Sequence, residues 1–140
     1  LDTASNFETS AEVANKNFSY SAADDIFYHG NEAEIRQLIT ILCDNAIKYT
    51  DECGHIKLSL YKSGKNIVIE SYNTCEYVDP NSVSRLFDRF YRADSSRSRD
   101  SKTGGYGIGL SIAQAIVHRH KGKIKAVTDG TTAITFKIIF

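Results

Sequence analysis

The chain has 140 residues, is 41% hydrophobic, and carries 17 basic and 17 acidic side chains for a formal net charge of zero. That length supports one sizeable core and no second full domain, and the charge balance argues against a protein held to nucleic acid or acidic lipid by bulk electrostatics. Cys43, Cys53 and Cys75 form no C-x-x-C pair and are odd in number, as expected of reduced cytosolic thiols, while no apolar run approaches a membrane span and Leu1–Ser5 lack a signal peptide's regions.

Phe7, Ala11 and Ala14 fall on one side of a helix expected over residues 7 to 17. Phe18–Tyr20 and Asp25–Tyr28 read as extended and bracket a polar turn. A long helix follows over about 32 to 50, with Ile35, Leu38, Ile39, Leu42 and Ala46 as its buried stripe. Ile56, Leu58 and Leu60 alternate, as do Ile67 and Ile69, so two neighbouring strands meet at a hairpin over Ser63-Gly64-Lys65. Between about 74 and 104 only Ser82 to Phe87 looks helical, and the tract from Arg92 to Thr103 is too polar to pack a core, which marks 74–104 as a mobile lid. A helix over about 107 to 120 buries Ile112, Ala113, Ile116 and Val117. A last hairpin turns at Asp129-Gly130 and alternates Ile134, Phe136 and Ile138. Strands with helices on one face make an α/β two-layer sandwich.

Three segments carry the chemistry. Gly104-Gly105-Tyr106-Gly107-Ile108-Gly109-Leu110 runs into an amphipathic pattern, so its glycines allow close approach of the backbone to a ligand at a helix start whose free N–H groups favour an anion. The dinucleotide and Walker fingerprints both fail here, because position 110 is Leu and no Gly-Lys-Ser/Thr follows. Upstream, Asn45, Lys48 and Tyr49 stand at i, i+3 and i+4 on one helix face. An amide oxygen there suits Mg²⁺, an ammonium suits phosphate, and a phenol ring can cover a base or ribose. Alone, these three residues read more readily as an ordinary solvated helix face. The third segment, Leu86-Phe87-Asp88-Arg89-Phe90-Tyr91-Arg92-Ala93-Asp94, is the most distinctive.

With these motifs in order, the chain resembles the catalytic and ATP-binding domain of sensor histidine kinases, in the GHKL group with DNA gyrase, MutL and the Bergerat-type chaperones. Asn45 falls on the N box, Phe87 and Phe90 on the F box, and Gly105, Gly107 and Gly109 on the second glycine box. The resemblance covers about Asn31 to Phe140. It implies a Bergerat fold over a single domain of residues 1–140, with a mixed, mainly antiparallel sheet under about three helices and a lid. It also implies a site for ATP and Mg²⁺: Asn45 on the metal, Lys48 and Arg92 on phosphates, Tyr49 beside the nucleotide, and backbone from Gly105 through Tyr106, Gly107, Ile108, Gly109 and Leu110 around the triphosphate. Asn73, Val78 and Thr132 would line the adenine. The phosphoacceptor histidine would be on a separate dimerisation domain of the parent protein, which then donates to a response regulator. Nucleic-acid binding and direct membrane insertion of this domain are not expected. The site would be cytoplasmic, with any membrane anchor elsewhere in the parent.

Two departures stand out. The family's first glycine box reads Asp-x-Gly-x-Gly, whereas this chain has Asn73-Thr74-Cys75-Glu76-Tyr77. An amide oxygen still accepts a hydrogen bond from adenine, without the carboxylate's charge assistance. One helical turn before Asn45, where the hydrolytic branches carry a glutamate base, stands Ile41, which accepts no proton. A kinase is therefore the expectation, with a nucleotide-binding regulatory module or a GHKL-type ATPase as alternatives. Lid arginines Arg89, Arg92, Arg97 and Arg99 are interleaved with Asp88, Asp94 and Asp100 and read, Arg92 apart, as a solubilised loop. His29, His55, His118 and His120 read as strand-end, turn and helix-end residues, since none has a partner at metal-ligand spacing.

Overall fold

Apolar residues at two-residue spacing build one face of a five-stranded sheet. The computed structural model describes residues 7, 11–12, 15–23, 26–50, 53–75, 85–87, 109–128, 130 and 132–140. Its strands are β1 (Asn17–Ala22), β2 (His55–Ser63), β3 (Asn66–Thr74), β4 (Lys123–Thr128) and β5 (Ala133–Ile139), and its helices are α1 (Glu32–Tyr49) and α2 (Gly109–Arg119). The sheet order is β1-β2-β3-β5-β4. Among the described strand pairs, only β1–β2 is parallel. This is the mixed, mainly antiparallel sheet expected.

Register places Ile56 opposite Asn73 and Asn73 opposite Ile134, then Leu58, Ser71 and Phe136 in a second row, then Leu60, Ile69 and Ile138 in a third. Because side chains alternate along each strand, the three rows share one face. Leu38 and Leu42 of α1 and Ala113, Ile116 and Val117 of α2 join that face in a single core cluster. Burying a side chain such as Leu38 contributes about 1.5–3 kcal/mol. Cys43 lies in the same cluster, where burial and the neighbouring Asp44 push its thiol up to about 12. It stays protonated and unreactive at neutral pH. On the other face of the sheet, where Val68 is also buried, Glu70 accepts from Tyr61 Oη at 2.7 Å and lies 3.7 Å from Lys137 Nζ.

The turns follow local chemistry. Gly64 has φ 61° in the two-residue connection of β2 to β3, and Gly130, between β4 and β5, has φ 67°, both conformations that favour glycine. Two helix ends use the left-handed region without glycine. Asn15 has φ 61°, donates to Glu12 O at 3.0 Å and is followed by Lys16 N–H to Ala11 O at 2.9 Å. Lys121 has φ 59°, donates to His118 O at 3.0 Å and is followed by Gly122 N–H to Val117 O at 2.9 Å. Each pair of bonds is a Schellman end that satisfies carbonyls the helix leaves free.

The structure corrects two sequence expectations. The first helix does not run to residue 17: Phe7, Ala11 and Glu12 are helical, Asn15 is the turn, and Asn17 already opens β1. Ile26–Tyr28 carry no strand pairing. Strand β1 instead runs parallel to β2, fastened by Asn17 N–H to Gly54 O and Ala23 N–H to Leu60 O, both 2.9 Å. Local alternation cannot reveal a partner some forty residues away. The lid tract from Arg92 to Thr103 and the proposed helix start at 107–108 lie outside the described residues, and α2 is described from Gly109.

Candidate nucleotide site

Helix α1 sets the site. Asn31 caps it, accepting from Glu34 N–H at 3.0 Å, while Glu32 and Glu34 lie in the first turn and Lys48 in the last, each sign favoured by the helix dipole. At the far end Thr50 Oγ1 donates to Ala46 O at 2.6 Å and Lys16 Nζ donates to Ile47 O. This anchored end carries the polar triad. Asn45 is half-buried at the margin of the apolar stripe, and Tyr49 is 40% exposed. Lys48 Nζ lies 3.0 Å from Asp44 Oδ2. Asp44, not among the expected site residues, therefore holds the Lys48 ammonium by an i,i+4 pairing visible in the sequence itself.

Packing brings the glycine box to that helix. A Cβ built on Gly109 would lie 3.6 Å from Ile41 Cγ2, so α2 starts beside α1 one turn before Asn45. Ile41 and Leu110 both pack on the core cluster. The first turn of a helix such as α2 carries the positive end of its dipole. Ile41 puts a methyl group, not a base, at this junction.

The first altered box position is the most informative. Asn73 points from β3 into the covered face and is 1% exposed. Its Nδ2 donates to Thr74 O at 3.0 Å, and its Oδ1 has no partner among the described residues. A carbonyl can only accept, so the Thr74 contact fixes which end of the amide is NH₂ and leaves the oxygen as the orphan. A buried polar atom without a partner costs about 1–3 kcal/mol. Thr132 is brought to the same end of the sheet, where its carbonyl accepts from Cys75 N–H at 2.9 Å. Of the F box, Phe87 packs edge-on to Phe136 of β5, with ring centroids 6.0 Å apart. Leu86, buried beside it, belongs to the core. Val78, Arg92, Gly105, Tyr106, Gly107 and Ile108 lie outside the described residues.

A cavity of about 550 Å³ opens elsewhere, bordered by Tyr20, Tyr28, Ile35, Ile39, Leu60 and Phe140 among others. None of the candidate nucleotide residues lines it. Ile35 precedes Asn45 by ten residues, about 15 Å along the helix axis. Among the described residues no cluster of three or more His, Cys, Asp or Glu is placed to hold a metal, and no helix is long and apolar enough to cross a membrane.

Residues 30–140 match the sequence profile of the histidine kinase-, DNA gyrase B-, and HSP90-like ATPase family. The chain belongs to that family. Among relatives of this ATPase domain, the phosphate regulon sensor protein PhoR of Pseudomonas aeruginosa is 37% identical over 126 residues, covering 90% of this chain and 28% of that protein. The signal transduction histidine-protein kinase ArlS of Staphylococcus epidermidis is 39% identical over 110 residues, covering 79% and 24%. The chain thus spans less than a third of either relative. Among solved structures, the nucleotide-free catalytic domain of histidine kinase ThkA superposes with a TM-score of 0.78 at 22% identity, covering 99% of this chain and 89% of that one. Full-length ShkA in complex with AMPPNP gives 0.81 at 18% identity, covering 99% and 28%. The ATPase domain therefore has the histidine kinase catalytic fold, the Bergerat-type sandwich expected from its motifs.

Proposed function

We propose that the chain is the ATP-binding catalytic domain of a two-component sensor histidine kinase, transferring the γ-phosphoryl group of ATP to a histidine on a separate dimerisation domain of its parent. The carrying observation is the buried Asn73 Oδ1, without a partner among the described residues, at one end of a sheet in this family's fold. An adenine amino group donates a hydrogen bond and fits that acceptor, with Thr132 and Val78 beside the base. Asn45, a hard neutral oxygen donor on a half-buried helix face, fits Mg²⁺, which when bound neutralises phosphate charge. Lys48 would leave Asp44 for a phosphate, joined by Arg92, and the backbone from Gly105 to Leu110, with Tyr106 to Ile108 between, would wrap the triphosphate, while Tyr49 flanks it.

Catalysis in such a site is positioning and charge neutralisation of a loose phosphoryl transfer. Ile41 beside Gly109 offers no base to activate water, so the acceptor is a histidine imidazole supplied from outside the chain, with a response regulator downstream. The domain would work on the cytoplasmic side of a membrane-anchored parent. Labelled ATP should phosphorylate the parent's helical histidine domain only when that domain is added. Rapid phosphate release by the chain alone would make it an ATPase instead. The substitutions at Asn73 and Cys75 favour one rival, a nucleotide-binding regulatory module, which would bind ATP in calorimetry yet transfer nothing.

A further inference from the structure

The end of α1 away from Asn45 is closed by one imidazole. His120, just past α2, has a side chain only 8% exposed. Its Nδ1 lies 2.9 Å from Ile116 O, and its Nε2 lies 3.1 Å from the backbone N of Asn31, the residue that caps α1. A carbonyl can only accept and a backbone N–H can only donate. Nδ1 must therefore carry a hydrogen and Nε2 must not, which defines one neutral tautomer.

The surroundings hold the ring tightly. Tyr28 Oη donates to His120 O at 3.3 Å, and the rings of Tyr28 and Phe140 lie 6.0 and 6.1 Å from the imidazole by centroid. Gly30 passes so close that a Cβ there would lie 2.7 Å from Tyr28 Cε2 and 3.0 Å from His120 Cδ2. From α1, Glu34 Oε1 stands 4.0 Å from Nδ1, and its other oxygen is held at 2.8 Å by Arg119 of α2. The lead-in segment contributes His29, which is exposed, and α2 contributes exposed His118; Lys121 follows the ring. The nearest anion thus faces the nitrogen that already bears a hydrogen. The nitrogen free to take a second proton faces an N–H.

We propose that His120 is a proton-sensitive latch that joins the lead-in segment of α1, residues 28–31, to the end of α2. A proton arriving at Nε2 ends its role as acceptor for Asn31 N–H and sets two N–H groups against each other. The latch then opens, while Nδ1–H keeps its bond to Ile116 and the charged ring stays beside Glu34. Tyr28, Gly30 and Phe140 also border the apolar cavity, so opening loosens that wall as well. None of these groups belongs to the nucleotide site.

Histidine-selective ¹⁵N NMR on the 140-residue chain tests the latch directly. At high pH the His120 ring should show the Nδ1–H tautomer. On acidification through the range where histidines titrate, the protection factor of the Asn31 amide should fall at least about tenfold, with the midpoint of the His120 ring and not of exposed His29 or His118. His120→Gln should abolish that transition at Asn31 while leaving ATP affinity at high pH unchanged. An Nε2–H or charged ring at high pH would overturn the proposal in the wild-type chain alone. So would an Asn31 transition that follows another histidine or persists in His120→Gln.

Discussion

The two ends of α1 are built to opposite specifications. At the first turn every polar group named above has a partner: Asn31 caps Glu34 N–H, Glu34 pairs with Arg119, Arg36 pairs with Glu32 at 3.2 Å, and His120 takes Asn31 N–H. Toward the last turns the balance changes. Among the described residues Lys48 pairs with Asp44 of its own helix, Tyr49 is exposed, and on the strands beneath, the buried oxygen of Asn73 has no partner. The closed end spends its polar chemistry on holding the fold. Under the proposed function, the other end would retain it for a ligand, at a cost in stability that the ligand would offset.

Substitutions can break this contrast. Its largest expected signature is at Asn45, where alanine should lower Mg²⁺-dependent ATP affinity roughly a hundredfold, as expected from losing about 2–3 kcal/mol of contact to a charged group. Unfolding stability should move by no more than about 0.5 kcal/mol, the usual range for a substitution outside the core. Calorimetry showing unchanged affinity, or wild-type binding indifferent to Mg²⁺, would remove Asn45 from the site.

Asn73 should separate stability from binding with opposite signs. Asn73→Leu deletes the unpartnered oxygen at similar volume, so the nucleotide-free chain should unfold no more easily and up to about 1 kcal/mol less easily, while ATP affinity falls about tenfold. Asn73→Asp should tighten ATP by no more than about 1 kcal/mol through charge assistance. Should Asn73→Leu leave both ATP affinity and the preference for ATP over GTP intact, the amide does not read the base.

The closed end should respond in stability alone. Lys121 holds a left-handed conformation that costs a side-chain-bearing residue about 1–2 kcal/mol, so Lys121→Gly should stabilise the chain by about 0.5–1 kcal/mol after glycine's entropy is counted. ATP affinity should not change. Denaturant melts of the two proteins decide the sign.

The smallest effect is at Glu34, whose carboxyl is held below its usual range chiefly by the hydrogen bond from Arg119. A lowered folded-state value stabilises the fold fully above the unfolded carboxylate value of about 4.3, and the contribution disappears as pH falls through the folded value. Glu34→Gln should therefore flatten the acid limb of the stability profile and leave neutral pH almost unchanged, because an exposed pair is well screened. A steep acid limb that survives the substitution would assign it to other carboxylates.

Much of this molecule was legible in advance because its signals are local. The period of 3.6 residues around Leu38, Leu42 and Ala46, the alternation from Ile56 to Leu60, and Gly64 and Gly130 at the turns each act over a few residues. Ordered motifs also singled out Asn45, Lys48 and Asn73 as candidates for the site before any geometry. What extended strand pattern could not supply was a partner: Phe18–Tyr20 alternates whether its neighbour is Ile26–Tyr28 or the distant β2, and only long-range hydrogen bonding decided for β2. The same limit hid the roles of Gly30 and His120, whereas the pairing of Asp44 with Lys48 is local. Whether a polar atom is satisfied depends on groups that sequence separates by tens of residues. The Asn73 oxygen, unpartnered among the described residues, and the doubly bonded ring of His120 therefore emerge only when β2, β3 and β5, or α1, α2 and the last residue, are packed together.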